Sequence, residues 1–346
     1  MEQKNFDPDG VGVDNGTYFG LPFAPETAEL VLISAPWDVT VSYGAGAAYA
    51  PDAIIEASTQ LDFHDPLAPG AWRRGIATAD VDYSLLDESQ RLRGDAAKVI
   101  DHLEGGGCLE DDYVVRKVRR VNEGCMSMNA NVGAQASRWL DAGKTVGLVG
   151  GDHSTPYGLI RALGARHAAF GILHVDAHCD LRDAYEGFEF SHASIMFNVL
   201  RDVPSVKKIA QVAVRDFSGT EAALAASSAR VATFDDLSLA AAMFRGETWD
   251  ALCRRIVDAL PQEVYVSFDI DGLTFENCPH TGTPVCGGLT FNQAVWLLDT
   301  LVRSGRRIIG FDVVEVAPAP EAKVDAITGA RMLWKLCNLT LKSNGQ

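Results

Sequence analysis

Residues 169–180 read AFGILHVDAHCD. The first half is a continuous apolar run, the mark of a strand buried on both faces. The second half, Asp176-Ala177-His178-Cys179-Asp180, ends that run with two carboxylates and an imidazole. In extended backbone, side chains at i, i+2 and i+4 point the same way, so Asp176, His178 and Asp180 can face one point. Ligands of open parallel sheets bind beyond the carboxyl ends of the strands, which is where these residues fall.

The same design recurs along the chain. VGLVGG (146–151) runs into Asp152-His153, EVYVSFDID (263–271) ends on Asp269 and Asp271, and RIIGFDVVEV (307–316) carries Glu315. LVLISAPW (30–37) and KKIAQVAV (207–214) read as further buried strands. Helical periodicity covers 88–103, a long helix within 111–142, and 237–245, 249–260 and 291–304. Pro51 suits the first turn of a helix, Gly105–Gly107 a loop, Gly143 the end of the long helix, and Thr290 and Gly305 the two ends of the last. Strands alternating with helices give an α/β fold whose parallel sheet is covered on both faces. Residues 1–28 are a polar, Gly-rich, irregular lead-in. No repeat or linker divides the remainder, so 1–346 reads as a single α/β domain.

Lys plus Arg number 30 against 46 Asp plus Glu, a net charge of -16. That balance repels phosphate backbones and anionic membranes and suits a small cationic substrate, so neither nucleic acid nor membrane is an expected partner. The seven cysteines are odd in number and irregularly spaced, with no CxxC pair. With no leader pattern at the N-terminus and no apolar run of membrane-spanning length, a reducing cytoplasm is the expectation.

Asp176, Asp180, Asp269 and Asp271 would repel one another if brought together, unless cations neutralised them. With His153 and His178 they make a set fit for two divalent ions. Mixed oxygen and nitrogen donors without thiolate suit Mn²⁺, with Fe, Co, Ni or Zn as substitutes. Each piece alone has a plainer reading. A histidine after a strand is commonly structural, and DxD at a strand end can be turn chemistry; the combination on separate strand ends is harder to explain so. His174 shares a strand face with Asp176 and reads as an orienting partner of a ligand. Cys179 alternates away from that face. Arg116, Lys117, Arg119 and Arg120 read as the solvated side of the long helix, and SYGAGA (42–47) as a pocket rim.

Gly150-Gly151-Asp152-His153-Ser154, Asp176-Ala177-His178-Cys179-Asp180, Ser267-Phe268-Asp269-Ile270-Asp271-Gly272, Thr281-Gly282-Thr283-Pro284 and Asp312-Val313-Val314-Glu315 occur in that order. In this the chain resembles the ureohydrolases, the arginase and agmatinase group. The resemblance implies a three-layer α/β/α arginase-like fold with a mainly parallel sheet of about eight strands. It implies two Mn²⁺ ions per subunit bridged by Asp176 and Asp269, one completed by His153 and Asp180, the other by His178 and Asp271. A bridging hydroxide would attack the guanidinium carbon. Glu315 and Thr283 would hold the guanidinium, and His192 would shuttle a proton to the leaving amine or help position a proton donor. A homo-oligomer, trimer or hexamer, is also implied.

Arginases usually carry Asn two residues after the position of Asp180, where this chain has Arg182. The segment resembles agmatinases instead and points to agmatine, cleaved to putrescine and urea. Guanidinobutyrase, guanidine hydrolase, formimidoylglutamase and arginase are the alternatives within the group; a zinc deacetylase or a non-catalytic regulatory homologue lie further off. Where the family usually has Asp-Pro after Asp271-Gly272-Leu273, this chain has Thr274-Phe275, so the turn loses proline's fixed φ. Cys278 and His280 read as a packed cysteine and a solvated loop histidine.

Overall fold

Alternate residues of the strand Leu30–Ala35 (β1) enter two different cores: Leu30 and Leu32 pack into one, Val31 and Ile33 into the other. A strand apolar on both sides needs helices above and below it, and the computed structural model, which describes residues 6–319 and 321–345, has them. The strands after β1 are Ile76–Thr78 (β2), Thr145–Gly150 (β3), Phe170–Val175 (β4), Val206–Val212 (β5), Val231–Phe234 (β6), Glu263–Asp269 (β7) and Arg307–Val314 (β8). They form one eight-stranded sheet in the order β2-β1-β3-β8-β7-β4-β5-β6, and every neighbouring pair runs parallel.

The helices are Ala50–Ser58 (α1), Tyr83–Glu104 (α2), Asp112–Asp141 (α3), Tyr157–Gly164 (α4), Ile195–Asp202 (α5), Gly219–Ser227 (α6), Asp236–Phe244 (α7), Trp249–Asp258 (α8), Phe291–Arg303 (α9) and Val324–Ser343 (α10). α2, α3, α4 and α5 share a core with one face of the sheet; α1, α8, α9 and α10 share a core with the other. This is the three-layer α/β/α arrangement. Among the described residues, no helix is long and apolar enough to cross a membrane. All seven cysteines are free.

Several helix ends follow from local chemistry. Thr290 accepts from the Gln293 N–H and Gln293 from the Thr290 N–H, a reciprocal cap on α9. Gly305 (φ 82°) and Gly143 (φ 74°) take the left-handed conformation just past α9 and α3. Pro51 sits in the first turn of α1. α2 starts at Tyr83 rather than at residue 88, because Asp82 accepts from the Ser84 N–H and caps it there.

The strands that carry the acidic residues are shorter than their sequence suggests. β4 stops at Val175 and β7 at Asp269, and the chain then turns. Strand alternation therefore does not aim Asp180 or Asp271. Asp180 has a left-handed backbone (φ 54°), and Asp271 lies in a single 3₁₀ turn, Ile270–Gly272. β2, β6, α4, α5, α6 and α10 are further elements beyond the sequence reading. α10 is buried on nearly every side, so it has no polar stripe to betray its period. In the lead-in, Tyr18 and Phe19 are buried, and the Phe19 ring lies 4.8 Å from that of Trp334 on α10.

Candidate metal centre and substrate pocket

The four central strands β3, β8, β7 and β4 are contiguous in the sheet, and their carboxyl ends deliver His153, Glu315, Asp269 and Asp176 to one place. Close backbone packing makes this possible. Gly151 passes so near Trp37 that a Cβ there would lie 1.8 Å from the Trp37 carbonyl oxygen. Likewise a Cβ on Gly272 would lie 2.7 Å from the Asp176 nitrogen.

His153 is buried with its Nδ1 2.9 Å from Asp176, 3.1 Å from Asp180 and 3.2 Å from Asp269. Its Nε2 donates to Ser267 Oγ at 2.9 Å, and Ser267 Oγ donates to Asp312 at 2.9 Å. With its proton on Nε2, the imidazole turns the Nδ1 lone pair towards three carboxylates. Only a proton or a metal ion on Nδ1 reconciles those groups. With a proton alone, burial opposes the charge, but the pull of the Asp176, Asp180 and Asp269 carboxylates beside it outweighs that and holds the ring well above its usual range.

His178 Nδ1 lies 3.1 Å from Asp271 Oδ2 and 3.4 Å from Asp176 Oδ1. Asp176 thus faces both histidines, Oδ2 towards His153 and Oδ1 towards His178. Asp269 and Asp271 each have one oxygen tied to the backbone: Asp269 accepts from the Asp271 N–H at 2.8 Å, and Asp271 from the Ala177 N–H at 2.9 Å. The remaining oxygens face the imidazoles, Asp269 Oδ2 at 3.2 Å from His153 Nδ1 and Asp271 Oδ2 at 3.1 Å from His178 Nδ1. Asp269 is pushed well above the usual carboxylate range, by burial first and then by Asp271 and Asp176. His153 Nδ1 and Asp271 Oδ2 are buried and make no hydrogen bond among the described residues.

These orphaned atoms fit a pair of cations. The donor atoms of His153, His174, Asp176 and Asp180 lie within 4.8 Å of one another, and so do those of Asp176, His178 and Asp271. His174 has both nitrogens engaged: Nε2 bonds Asp176 at 2.8 Å, and Nδ1 accepts from Gln211 at 3.3 Å. It therefore orients a carboxylate rather than offering a lone pair. Cys179 is buried, and burial first pushes its thiol well up.

Glu315 follows β8 in a left-handed conformation (φ 61°). Its carboxylate accepts from the His153 N–H at 2.8 Å, and its own N–H donates to the Gly151 carbonyl at 2.8 Å. Burial first, then Asp152, raises the Glu315 carboxyl well above its usual range. A cation beside it would relieve that cost. Thr281 Oγ1 donates to the Glu315 carbonyl at 2.8 Å, and Gly44 N–H to the Gly282 carbonyl at 3.1 Å, which brings Thr283 to the same wall. Thr274 and Phe275 do not disorder this turn: Asn277 donates to Thr274 Oγ1 at 2.7 Å, and Thr274 N–H to the Leu289 carbonyl at 2.8 Å.

A cavity of about 160 Å³ opens over these groups, lined by His153, His178, His192, Thr283, Glu315 and Tyr185 among others. The His192 N–H donates to Thr40 Oγ1 at 3.1 Å. Burial first, then the charges of His178 and His153, pushes its ring down to about 3, so the ring is neutral. Arg182 reaches the same cavity, 4.5 Å above the Tyr185 ring and 3.6 Å from Glu221. Ser42 lines it too, on the SYGAGA segment expected at the rim, as do Tyr185, Asp216 and Glu221, to which the sequence motifs assign no role of their own. Only Glu221 left a trace, as the fourth residue of the Ser218-x-x-Glu221 cap on α6.

Set against known proteins, the sequence matches the Arginase family over residues 28–338. The chain belongs to that family. It is 29% identical over 323 residues to an N(1)-aminopropylagmatine ureohydrolase of Thermus thermophilus, covering 93% of this chain and 94% of that one. To an agmatinase of Escherichia coli it is 28% identical over 324 residues, covering 92% and 90%. The fold is shared with proclavaminate amidino hydrolase from Streptomyces clavuligerus, with a TM-score of 0.72 at 21% identity over 94% of this chain and 97% of that one.

Proposed function

We propose that this arginase-family chain is a dinuclear-metal hydrolase of a linear guanidino compound, with agmatine, giving putrescine and urea, as its reference substrate. The observation that carries the reading is the convergence of Asp176, Asp180, Asp269 and Asp271 on two imidazoles with the His153 Nδ1 and Asp271 Oδ2 atoms unpartnered. His153 and Asp180 would hold one ion, His178 and Asp271 the other, with Asp176 and Asp269 shared. Oxygen and nitrogen donors without sulfur favour manganese. When bound, such ions would lower the pKa of water and so supply hydroxide near neutral pH, the nucleophile that hydrolysis of a guanidinium requires.

The chain's own residues supply the rest. Glu315 offers a charge-assisted hydrogen bond to the guanidinium, and the Thr281–Thr283 wall fixes its plane. The leaving nitrogen departs as an amine and needs a proton. Neutral His192 stands at the cavity and can relay one, held in place by Thr40. The names of the aligned relatives support agmatine and its aminopropyl derivative as the first compounds to offer.

Manganese-loaded protein should release urea from one of agmatine, N(1)-aminopropylagmatine, guanidinobutyrate, guanidine or arginine, and chelation should stop it. Formimidoylglutamate belongs in the same panel, read by formamide release. Two bound metals per chain with no product from any of these would overturn the reading.

A further inference from the structure

The segment 277–283 builds the wall of the pocket next to Glu315, yet it lies outside the sheet and is held by few bonds of its own. α10 holds it. Asp325, in the first turn of α10, is completely buried. Its Oδ1 accepts from the His280 N–H at 3.0 Å and its Oδ2 from His280 Nδ1–H at 2.7 Å. One turn on, Thr328 Oγ1 donates to the Asn277 carbonyl at 2.7 Å. From the other side, Thr281 Oγ1 donates to the Glu315 carbonyl. His280 is thus no free loop histidine, although its side chain is 44% exposed.

We propose that His280 and Asp325 are positioning residues for the guanidinium end of the substrate. The buried carboxylate takes both the backbone and the ring N–H of His280. A bidentate grip of this kind fixes the residue's φ, ψ and χ angles together, and the chain leads directly from it to Thr281 and Thr283. His280 does not line the cavity, so it acts through the loop and not on the substrate. Cys278 is buried beside the same carboxylate, its thiol pushed well up by burial first and then by Asp325. α10 thereby couples its own docking on the sheet to the shape of the pocket wall. The inference rests on the guanidino-hydrolase reading only for where the substrate's charged end lies.

The test uses His280→Ala, which removes the ring bond from a half-exposed residue and spares the fold, and His280→Asn, whose Nδ2–H can take the place of Nδ1–H. In His280→Ala, KM for the guanidino substrate should rise about tenfold with kcat changed less than about threefold, as expected when a wall that positions substrate loosens. Bound metal should equal that of the unsubstituted chain, and His280→Asn should restore KM. Amide hydrogen exchange across residues 277–283 reads the same point without turnover: faster in His280→Ala, restored in His280→Asn. An unchanged exchange rate, an unchanged KM, or a KM rise that comes with metal loss would each overturn the proposal. Failure to turn over any guanidino compound counts against the assigned reaction, while the exchange result still decides the clamp.

Discussion

Two groups of buried aspartates stand a short distance apart and behave oppositely. Asp325 and Asp312 have no exposed surface, but donors meet both oxygens of each: the His280 N–H and ring for Asp325, Ser267 Oγ and the Phe268 N–H for Asp312. Asp176, Asp180, Asp269 and Asp271 are as deeply buried, yet face one another across two imidazoles. Burial of an acid is therefore no sign of a metal. The sign is a shortage of hydrogen-bond donors in a cluster too crowded for protons to neutralise.

The hardest way to break that contrast is to remove an acid from the cluster. Asp271→Ala should lower turnover by more than the roughly 10–100-fold that outer partners of metal sites cost, and reduce bound metal below two per chain. Elemental analysis beside a urea assay decides it; full metal content with normal turnover would sink the reading. A step outward, Ser267→Ala cuts the link from Asp312 that keeps the His153 proton on Nε2. The loss there should be roughly 10–100-fold in metal affinity, measured by competition with a coloured chelator. An affinity equal to the parent's would mean that the tautomer is set by something else.

What could be read from the sequence was local. Runs such as ILHVDAHCD carry strand, strand end and acid within a dozen residues, and the Thr290 cap depends on a neighbour three positions away. The aim of the acids was reached by a different route from the one the spacing suggests. Asp271 points inward because it sits in a turn capped by Asp269, and Asp180 because its φ is positive. The supporting bonds were out of reach of any local pattern: Ser267 to Asp312 spans 45 positions, Gln211 to His174 spans 37, and His192 to Thr40 spans 152. α10 was silent because a helix buried all round has no polar stripe.

On the satisfied side of the contrast, Asp325→Asn replaces an acceptor oxygen by a donor that faces another N–H. The expected cost is about 2 kcal/mol of folding stability, the usual range for a buried polar group left unpaired. Metal content should stay at the parent's value. Urea denaturation and metal analysis on the same preparation check both halves, and metal loss without loss of stability would erase the distinction between the two groups of acids.

Glu186 sharpens the contrast from a third position, because it is a lone acid short of donors. Its Oε2 is buried without a hydrogen-bond partner among the described residues. Its carboxyl is raised to about 7, by burial first and then by Glu104, against the opposing pull of Arg93 and Arg182. An acid raised on folding contributes its stability in full below its unfolded pKa, near 4.5, and loses it as pH rises through about 7. Glu186→Gln should therefore match the parent near the acid end of that window and become more stable than the parent above it. Converted outright, the shift would be about 3 kcal/mol, but the side chain is partly open to solvent, and screening reduces the expected gain at pH 8.5 to about 1 kcal/mol. Thermal melts at pH 5.5 and 8.5 measure the difference. A gain that grows with pH means that one acid short of donors is settled by a proton, leaving cations for the cluster where protons do not suffice. A gain that is flat across pH would mean that donor shortage alone does not shift an acid here, and the case for metal would then stand on the crowding of the four aspartates.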